Sequence, residues 1–233
     1  MYIYGKNVAI ETLKKKKKIN KAILYKNFKE EEILNLLIKN NIKIKYLEKY
    51  EMDKIVNGLH QGIILDVEDY KYATMNDVLK GDNPLLVILD HLEDPHNLGA
   101  IIRTCEAAGV DGIIIPKDRS VEVNATVIKT SVGTVENVKI VKVTNIVNEI
   151  NNLKKQGFWI VGTDMIGTNY KKIDYKGKIA IVIGNEGNGI SKLVKQNCDF
   201  MATIPMNGKT NSLNASVAAG IMIYEAVSQR ELG

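Results

Sequence analysis

Three short stretches of the 233-residue chain gather amides, a scarce arginine, one acid and several glycines. In PHNLGAIIR, Pro95 starts a turn, Asn97 is suited to cap the helix that follows, and Gly99 lets the backbone approach a partner closely. Arg103 follows Asn97 by six residues, and the planar fork of its guanidinium suits phosphate better than the point charge of a lysine. In IGNEGNGI, Gly184 closes an apolar run, and Glu186 stands between glycines with its carboxylate free to enter a site. In IPMNGKTNSLNASVA, GKT suggests a phosphate loop, but the order fails. Thr203 stands where the first glycine of G-x-x-x-x-G-K-[ST] belongs, and Asn211 intervenes before the helix. Ser212 is a plausible helix N-cap, and the Asn214 amide can either cap or hold a ligand.

Each of these stretches follows an apolar run, which is where an open α/β sheet places its ligands. From residue 85 the runs LLVILD (85–90), GIIIP (112–116), VKIVKV (138–143), FWIVGTD (158–164), KIAIVIG (178–184) and DFMATIP (199–205) read as strands. Their near-continuous apolar character indicates strands covered on both faces, hence a mostly parallel sheet wrapped by helices. The last segment, SLNASVAAGIMIYEAVSQREL, reads as a long helix whose small residues Ala215, Ala218, Ala219 and Gly220 permit close packing. Residues 1–70 form a smaller α/β pattern, with strands at 21–25, 42–47 and 62–70 and helices at 30–40 and 48–57. The polar stretch 71–83 ends in turn formers before Pro84 and reads as a linker to a second domain over 84–233.

The net charge of +5 is unevenly spread. Residues 1–29 hold nine lysines against the single acid Glu11, including the run Lys14 to Lys18, while charges nearly cancel from Leu85 onward. A concentrated basic end suits the phosphates of a nucleic acid, and a solvated lysine-rich turn is the plainer alternative. Only Arg103, Arg119 and Arg230 are arginines, so each asks for a reason. Cys105 and Cys198 lie in ordinary helix and strand patterns, and three histidines without a C-x-x-C motif speak against a metal centre. No apolar run reaches the roughly 18 residues of a membrane helix, and the N-terminus lacks a secretory core; a cytoplasmic protein is expected. The glycines of residues 184–189 read G-x-x-G-x-G, and no early G-x-G-x-x-G with a following acid supports a nicotinamide enzyme.

Taken in order, PHNLGAIIRTCEAAGV, IVIGNEGNGIS and IPMNGKTNSLNASVAAGIMIYEA resemble the three motifs of the SpoU family of RNA ribose 2′-O-methyltransferases, within the SPOUT class. IYGKNVAIETL and GLHQGIIL are similar to that family's small N-terminal RNA substrate-binding domain, which has a ribosomal-protein-like α/β fold. IPKDRSVEVNATVIKTSVGTVENVKIVKVTN resembles the branch that modifies a guanosine of 23S ribosomal RNA.

The resemblance implies an α/β fold with a trefoil-knotted, mostly parallel sheet, which periodicity alone would have drawn as an ordinary doubly wound one. It implies S-adenosylmethionine as cofactor, held by backbone groups at Gly184, Ile204 and Leu213, with Thr163 and Met206 as looser candidates. It implies catalytic positions at Asn97, Arg103, Glu186, Ser212 and Asn214, and a homodimer packed through the C-terminal helix. Arg103 is often cast as the base in the family, an awkward role for a guanidinium; gripping a phosphate beside the target ribose fits its chemistry better. Methylation of an adenosine conferring antibiotic resistance, methylation of tRNA, and a non-catalytic RNA-binding protein remain as alternatives.

Overall fold

The computed structural model describes residues 1–15, 18–210 and 212–231. The chain divides into two compact units, one of residues 1–71 with 123–133, the other of 72–122 with 134–233.

In the first unit the elements run β1 (Tyr2–Tyr4), α1 (Lys6–Lys14), β2 (Ile19–Tyr25), α2 (Glu31–Lys39), β3 (Ile44–Leu47), α3 (Lys49–Ile55) and β4 (Ile63–Val67). The four strands form one sheet in the order β1-β4-β2-β3, with β2 and β3 parallel and the other pairs antiparallel. Ile3, Leu24, Ile63, Ile64 and Leu65 are fully buried, as are Leu37 of α2 and Met52 of α3. α3 is closed at its start by a capping box in which the Glu48 and Glu51 side chains each accept from the other's backbone N–H. Residues 2–4 and 6–14 add a strand and a helix ahead of the first strand read from the sequence. The lysine run follows on from that helix. Lys14 pairs with Glu32 at 3.0 Å, Lys15 donates to the Gly133 carbonyl at 2.7 Å, and Lys18 pairs with Glu68. Lys16 and Lys17 lie outside the described residues.

In the second unit come α4 (Met75–Val78), β5 (Leu85–Leu89), α5 (Pro95–Ala107) and β6 (Gly112–Pro116). After α6 (Ala125–Thr130), which belongs to the first unit, follow β7 (Ile140–Val143), α7 (Ile146–Lys155), β8 (Trp159–Asn169), β9 (Ile179–Ile183), α8 (Lys192–Asn197), β10 (Phe200–Thr203) and α9 (Ala215–Glu231). The six strands form one sheet in the order β10-β8-β9-β5-β6-β7, every pair parallel. β5, β6 and β9 are buried at every residue, as their unbroken apolar runs require.

The polar stretch 71–83 carries more than a connection. Ala73 bridges to Val141, and Val78 of α4 is fully buried in the core with Leu86, Ile114 and Val141. Gly112 makes room for it, because a Cβ there would lie 2.3 Å from Val78 Cγ1. β8 also runs past residue 164. Its partners on β10 jump from Gly162 to Thr168 as β10 advances from Met201 to Ala202, so residues 163–167 bulge from the ladder.

Candidate active site

All six strands are parallel, so their carboxyl ends share one edge, and the motif residues lie in the segments that follow β5, β9 and β10. α5 begins three residues earlier than a cap at Asn97 would place it. Asp94 is the cap, its carboxylate accepting from the His96 N–H at 2.9 Å, with Pro95 in the first turn. Asn97 is thereby inside the helix and freed for another use.

That use is a directed chain of side chains. Asn214 Oδ1 accepts from the Ser216 N–H at 2.9 Å and from its hydroxyl at 2.6 Å, which makes Asn214, not Ser212, the residue that caps α9. With its oxygen so engaged, the Asn214 amide donates to Asn97 Oδ1 at 2.9 Å. Asn97, only 5% exposed, in turn donates from Nδ2 to Glu186 Oε1 at 2.9 Å. An ionised carboxylate only accepts, so the orientation of every amide in the chain follows from its two ends. The structure thus joins Asn97, Glu186 and Asn214. Ser212, two residues before Asn214, is exposed and outside this chain, and its carbonyl accepts from the Thr210 hydroxyl at 3.2 Å.

Arg103 stands apart from this chain. Helical geometry puts it about 9 Å along α5 from Asn97 and about 120° around the axis. It is exposed, and its guanidinium makes no hydrogen bond or ion pair with any described residue. A cation so presented is available to an anionic ligand.

The glycine loop is folded tightly on itself. A Cβ on Gly184 would lie 2.2 Å from the carbonyl carbon of Gly189, so only glycine fits there. Asn185 and Gly189 exchange a pair of backbone hydrogen bonds at 3.0 Å, and Asn185 Oδ1 accepts from the Gly187 N–H at 2.8 Å. Asp90 and His91, which the sequence reading passed over, anchor this loop at both ends. The Asp90 N–H donates to Ile183 O at 2.8 Å, and its carboxylate, 1% exposed, accepts from the Ser191 N–H at 2.6 Å. His91 donates from Nδ1 to Asp90 Oδ1 at 2.6 Å, and its carbonyl accepts from Asn185 Nδ2 at 2.8 Å. The signal that could have revealed them is an acid at the end of a wholly apolar strand, where an unpaired charge would be costly.

The candidate cofactor residues lie at adjoining strand ends. Gly184 is buried directly after β9, and the Thr163 hydroxyl donates from β8 to Val182 O at 3.1 Å. Ile204 and Met206 follow β10, and Leu213 precedes α9; all three are half-buried. The Thr203 hydroxyl ties the β10 end to Met165 O of the β8 bulge at 3.0 Å. Thr163 thus reaches β9, whereas among the described residues no hydrogen bond joins Ile204, Met206 or Leu213 to Gly184.

A parallel α/β sheet with polar side chains converging at the carboxyl edge defines a ligand-binding α/β enzyme domain. Residues 84–224 match the SpoU rRNA Methylase family, and residues 2–73 match the family described as RNA 2′-O ribose methyltransferase substrate binding. The chain belongs to the SpoU/TrmH family of RNA methyltransferases. Among relatives, it is 42% identical to YacO of Bacillus subtilis (strain 168), assigned to the TrmH family of tRNA/rRNA methyltransferases, over 98% of this chain and 96% of that one. Among solved structures, the AdoMet-bound rRNA methyltransferase of Sinorhizobium meliloti superimposes with a TM-score of 0.77 at 26% identity, covering 97% of this chain and 85% of that one. The SpoU methyltransferase AviRb of Streptomyces viridochromogenes, in complex with AdoMet, shares the fold with a TM-score of 0.81 at 22% identity, over 100% of this chain and 91% of that one.

Proposed function

We propose that the protein methylates the 2′-hydroxyl of a ribose in RNA, with S-adenosylmethionine as donor and a guanosine of 23S ribosomal RNA as target. The observation that carries this reading is the relay Asn214–Asn97–Glu186, which ties the start of α9 and the loop after β9 to α5, the helix that also presents Arg103, without a partner among the described residues. The residues at the strand ends suit the donor. A collapsed glycine turn at Gly184 exposes backbone rather than side chains, and half-buried Ile204, Met206 and Leu213 offer apolar surface for an adenine. When bound, S-adenosylmethionine supplies an electrophilic methyl group.

The chain's own residues do the rest. A ribose hydroxyl is a weak nucleophile, so it must be positioned and must lose its proton as the O–C bond forms. Arg103, always charged, grips the phosphate beside the target ribose and favours ionisation of the hydroxyl. Glu186 spends one oxygen on Asn97 and keeps acceptor capacity to orient the hydroxyl. Asn97 and Asn214 hold Glu186 in place, and Ser212 adds an exposed hydroxyl at the rim. The proton leaves to solvent through these polar groups.

Residues 1–70 serve in this reading as the RNA substrate-binding domain and 84–233 as the methyltransferase domain. The trefoil knot of the SPOUT class belongs to this reading of the methyltransferase domain. Val217 and Tyr224, 49% and 52% exposed on α9, offer a face for a homodimer. The protein acts in the cytoplasm, on ribosomal RNA. Primer extension at low dNTP on ribosomal RNA from a deletion strain tests the target. Loss of one stop at a 23S guanosine is expected; an unchanged ribosomal pattern with a lost tRNA stop would move the substrate to tRNA, the other class in the family of YacO.

A further inference from the structure

Of the three arginines, Arg230 is consumed by the fold. Its guanidinium donates to the carbonyls of Tyr175 at 3.1 Å, Asn83 at 3.0 Å and Gly177 at 2.5 Å. Arg103 belongs to the site above. Arg119 is left, and its setting is unusual. It lies in the loop after β6, exposed, with a backbone φ of 51° that side-chain-bearing residues rarely adopt. Strain of that kind persists only where the surroundings fix it. Here they do. On one side the Lys117 N–H donates to Val143 O at 2.8 Å; on the other the Val121 N–H and the Ser120 hydroxyl both donate to Leu92 O, at 2.8 and 3.1 Å.

Leu92 stands in the loop that leads from β5 into α5 and so to Asn97. β5 and β6 are parallel neighbours, with Ile88 opposite Ile114, so the Lys117–Arg119 loop emerges from the same sheet edge as the motif loop and is bonded to it. Neither the Lys117 nor the Arg119 side chain bonds to a described residue, whereas Glu122 is neutralised by Lys142 at 2.6 Å. The loop therefore offers two cations against the one acid Asp118.

We propose that Arg119, with Lys117, is a second phosphate-binding point for the RNA strand, gripping a backbone phosphate that flanks the nucleotide held by Asn97, Glu186 and Arg103. This rests on the proposed RNA 2′-O-methylation and adds to it a fixed register for the substrate strand. Phosphate contacts position a nucleic acid without reading its sequence. With the loop backbone already fixed, only the rotation of the side chain itself is lost when the guanidinium binds.

The test compares Arg119→Gly and Arg119→Gln in the full chain, measuring RNA affinity across a salt series, S-adenosylmethionine affinity and thermal unfolding. Glycine accepts the backbone angle without strain, so Arg119→Gly is expected to melt no lower than the unmodified protein. Both variants should bind RNA roughly tenfold more weakly, alike for target and unrelated RNAs, with the slope of log affinity against log salt reduced by about 1. Cofactor affinity should not change. A folded variant of either kind with unaltered RNA affinity and salt slope overturns the proposal, as does weakening confined to one RNA sequence. Failure of the unmodified protein to methylate a ribose in the same preparation would instead count against the proposed function, since the salt series reads binding without chemistry.

Discussion

Asn97 Nδ2 lies 2.9 Å from Glu186 Oε1 although the two residues are 89 positions apart in the chain. The bond joins the first turn of α5 to the loop after β9, and Asn214 continues it to the start of α9. Replacing Asn97 by alanine leaves a donor on Asn214 and a carboxylate on Glu186 without their partner. Both are exposed and can bond to water instead, so stability should fall only by about 0.5–1.5 kcal/mol, the net worth of a hydrogen bond. Single-turnover methylation should fall about a hundredfold or more. Urea unfolding and rapid-quench methylation measure the two effects, and a rate within a few-fold of normal would remove the relay from catalysis.

Arg103 distinguishes grip from charge. Arg103→Ala is expected to lose about a hundredfold or more in single-turnover rate. Arg103→Lys should recover little of it, because an ammonium cannot reproduce the bidentate fork. Near-full recovery with lysine would show that a point charge suffices.

Asp90 is buried and acts on the glycine loop rather than on a ligand. Asp90→Ala strands the Ser191 N–H and the His91 ring, and a cost of about 1.5–3 kcal/mol is expected from losing bonds to a charged group. S-adenosylmethionine affinity, measured by equilibrium dialysis, should weaken with it, since Gly184 begins the loop that Asp90 holds. Unaltered affinity in a destabilised but folded variant would confine Asp90 to the fold.

The Cys198 thiol is pushed up from 9.0 to about 12, first by burial and then by the Asp199 carboxylate. Burial also raises Cys105. Below pH about 9 the thiol is protonated in both folded and unfolded chains. Above it the unfolded chain loses its proton first, so Cys198 makes stability decline as pH climbs from about 9 towards 12. Cys198→Ala should flatten that part of the decline in urea titrations at about pH 8 and about pH 10. In the native protein at about pH 8, alkylation should be slowed roughly a thousandfold relative to a free cysteine, following the thiolate fraction.

The lysine run bears on RNA affinity. Lys14, Lys15 and Lys18 have partners in the fold, but exposed pairs of this kind contribute little and exchange readily for phosphate. Neutralising Lys14 to Lys18 should weaken RNA binding and flatten its salt dependence in a filter-binding titration. An unchanged slope would return the run to an ordinary solvated surface.

The large sheet was legible because burial on both faces writes β5, β6 and β9 as unbroken apolar runs. The family motifs made the site residues legible too, but not what each does. Asn97 looks like a cap from its type, and only the rule that proline follows the cap would have moved that role to Asp94. The partners of Asn97 lie 89 and 117 residues away, beyond any local pattern. α1 buries only Ala9, Thr12 and Leu13, too few to write a clear helical period, and the far end of β8 consists of exposed residues that bulge from the ladder. Val78 was missed because one buried valine in a polar stretch has no periodicity to betray it.

The relay that starts at the Ser216 N–H has one direction, and its last member is the Glu186 carboxylate. A displacement of the front end of α9 would reach Glu186 through two amides. The aim of that exposed carboxylate is therefore set as much by where a distant helix begins as by the loop that carries it.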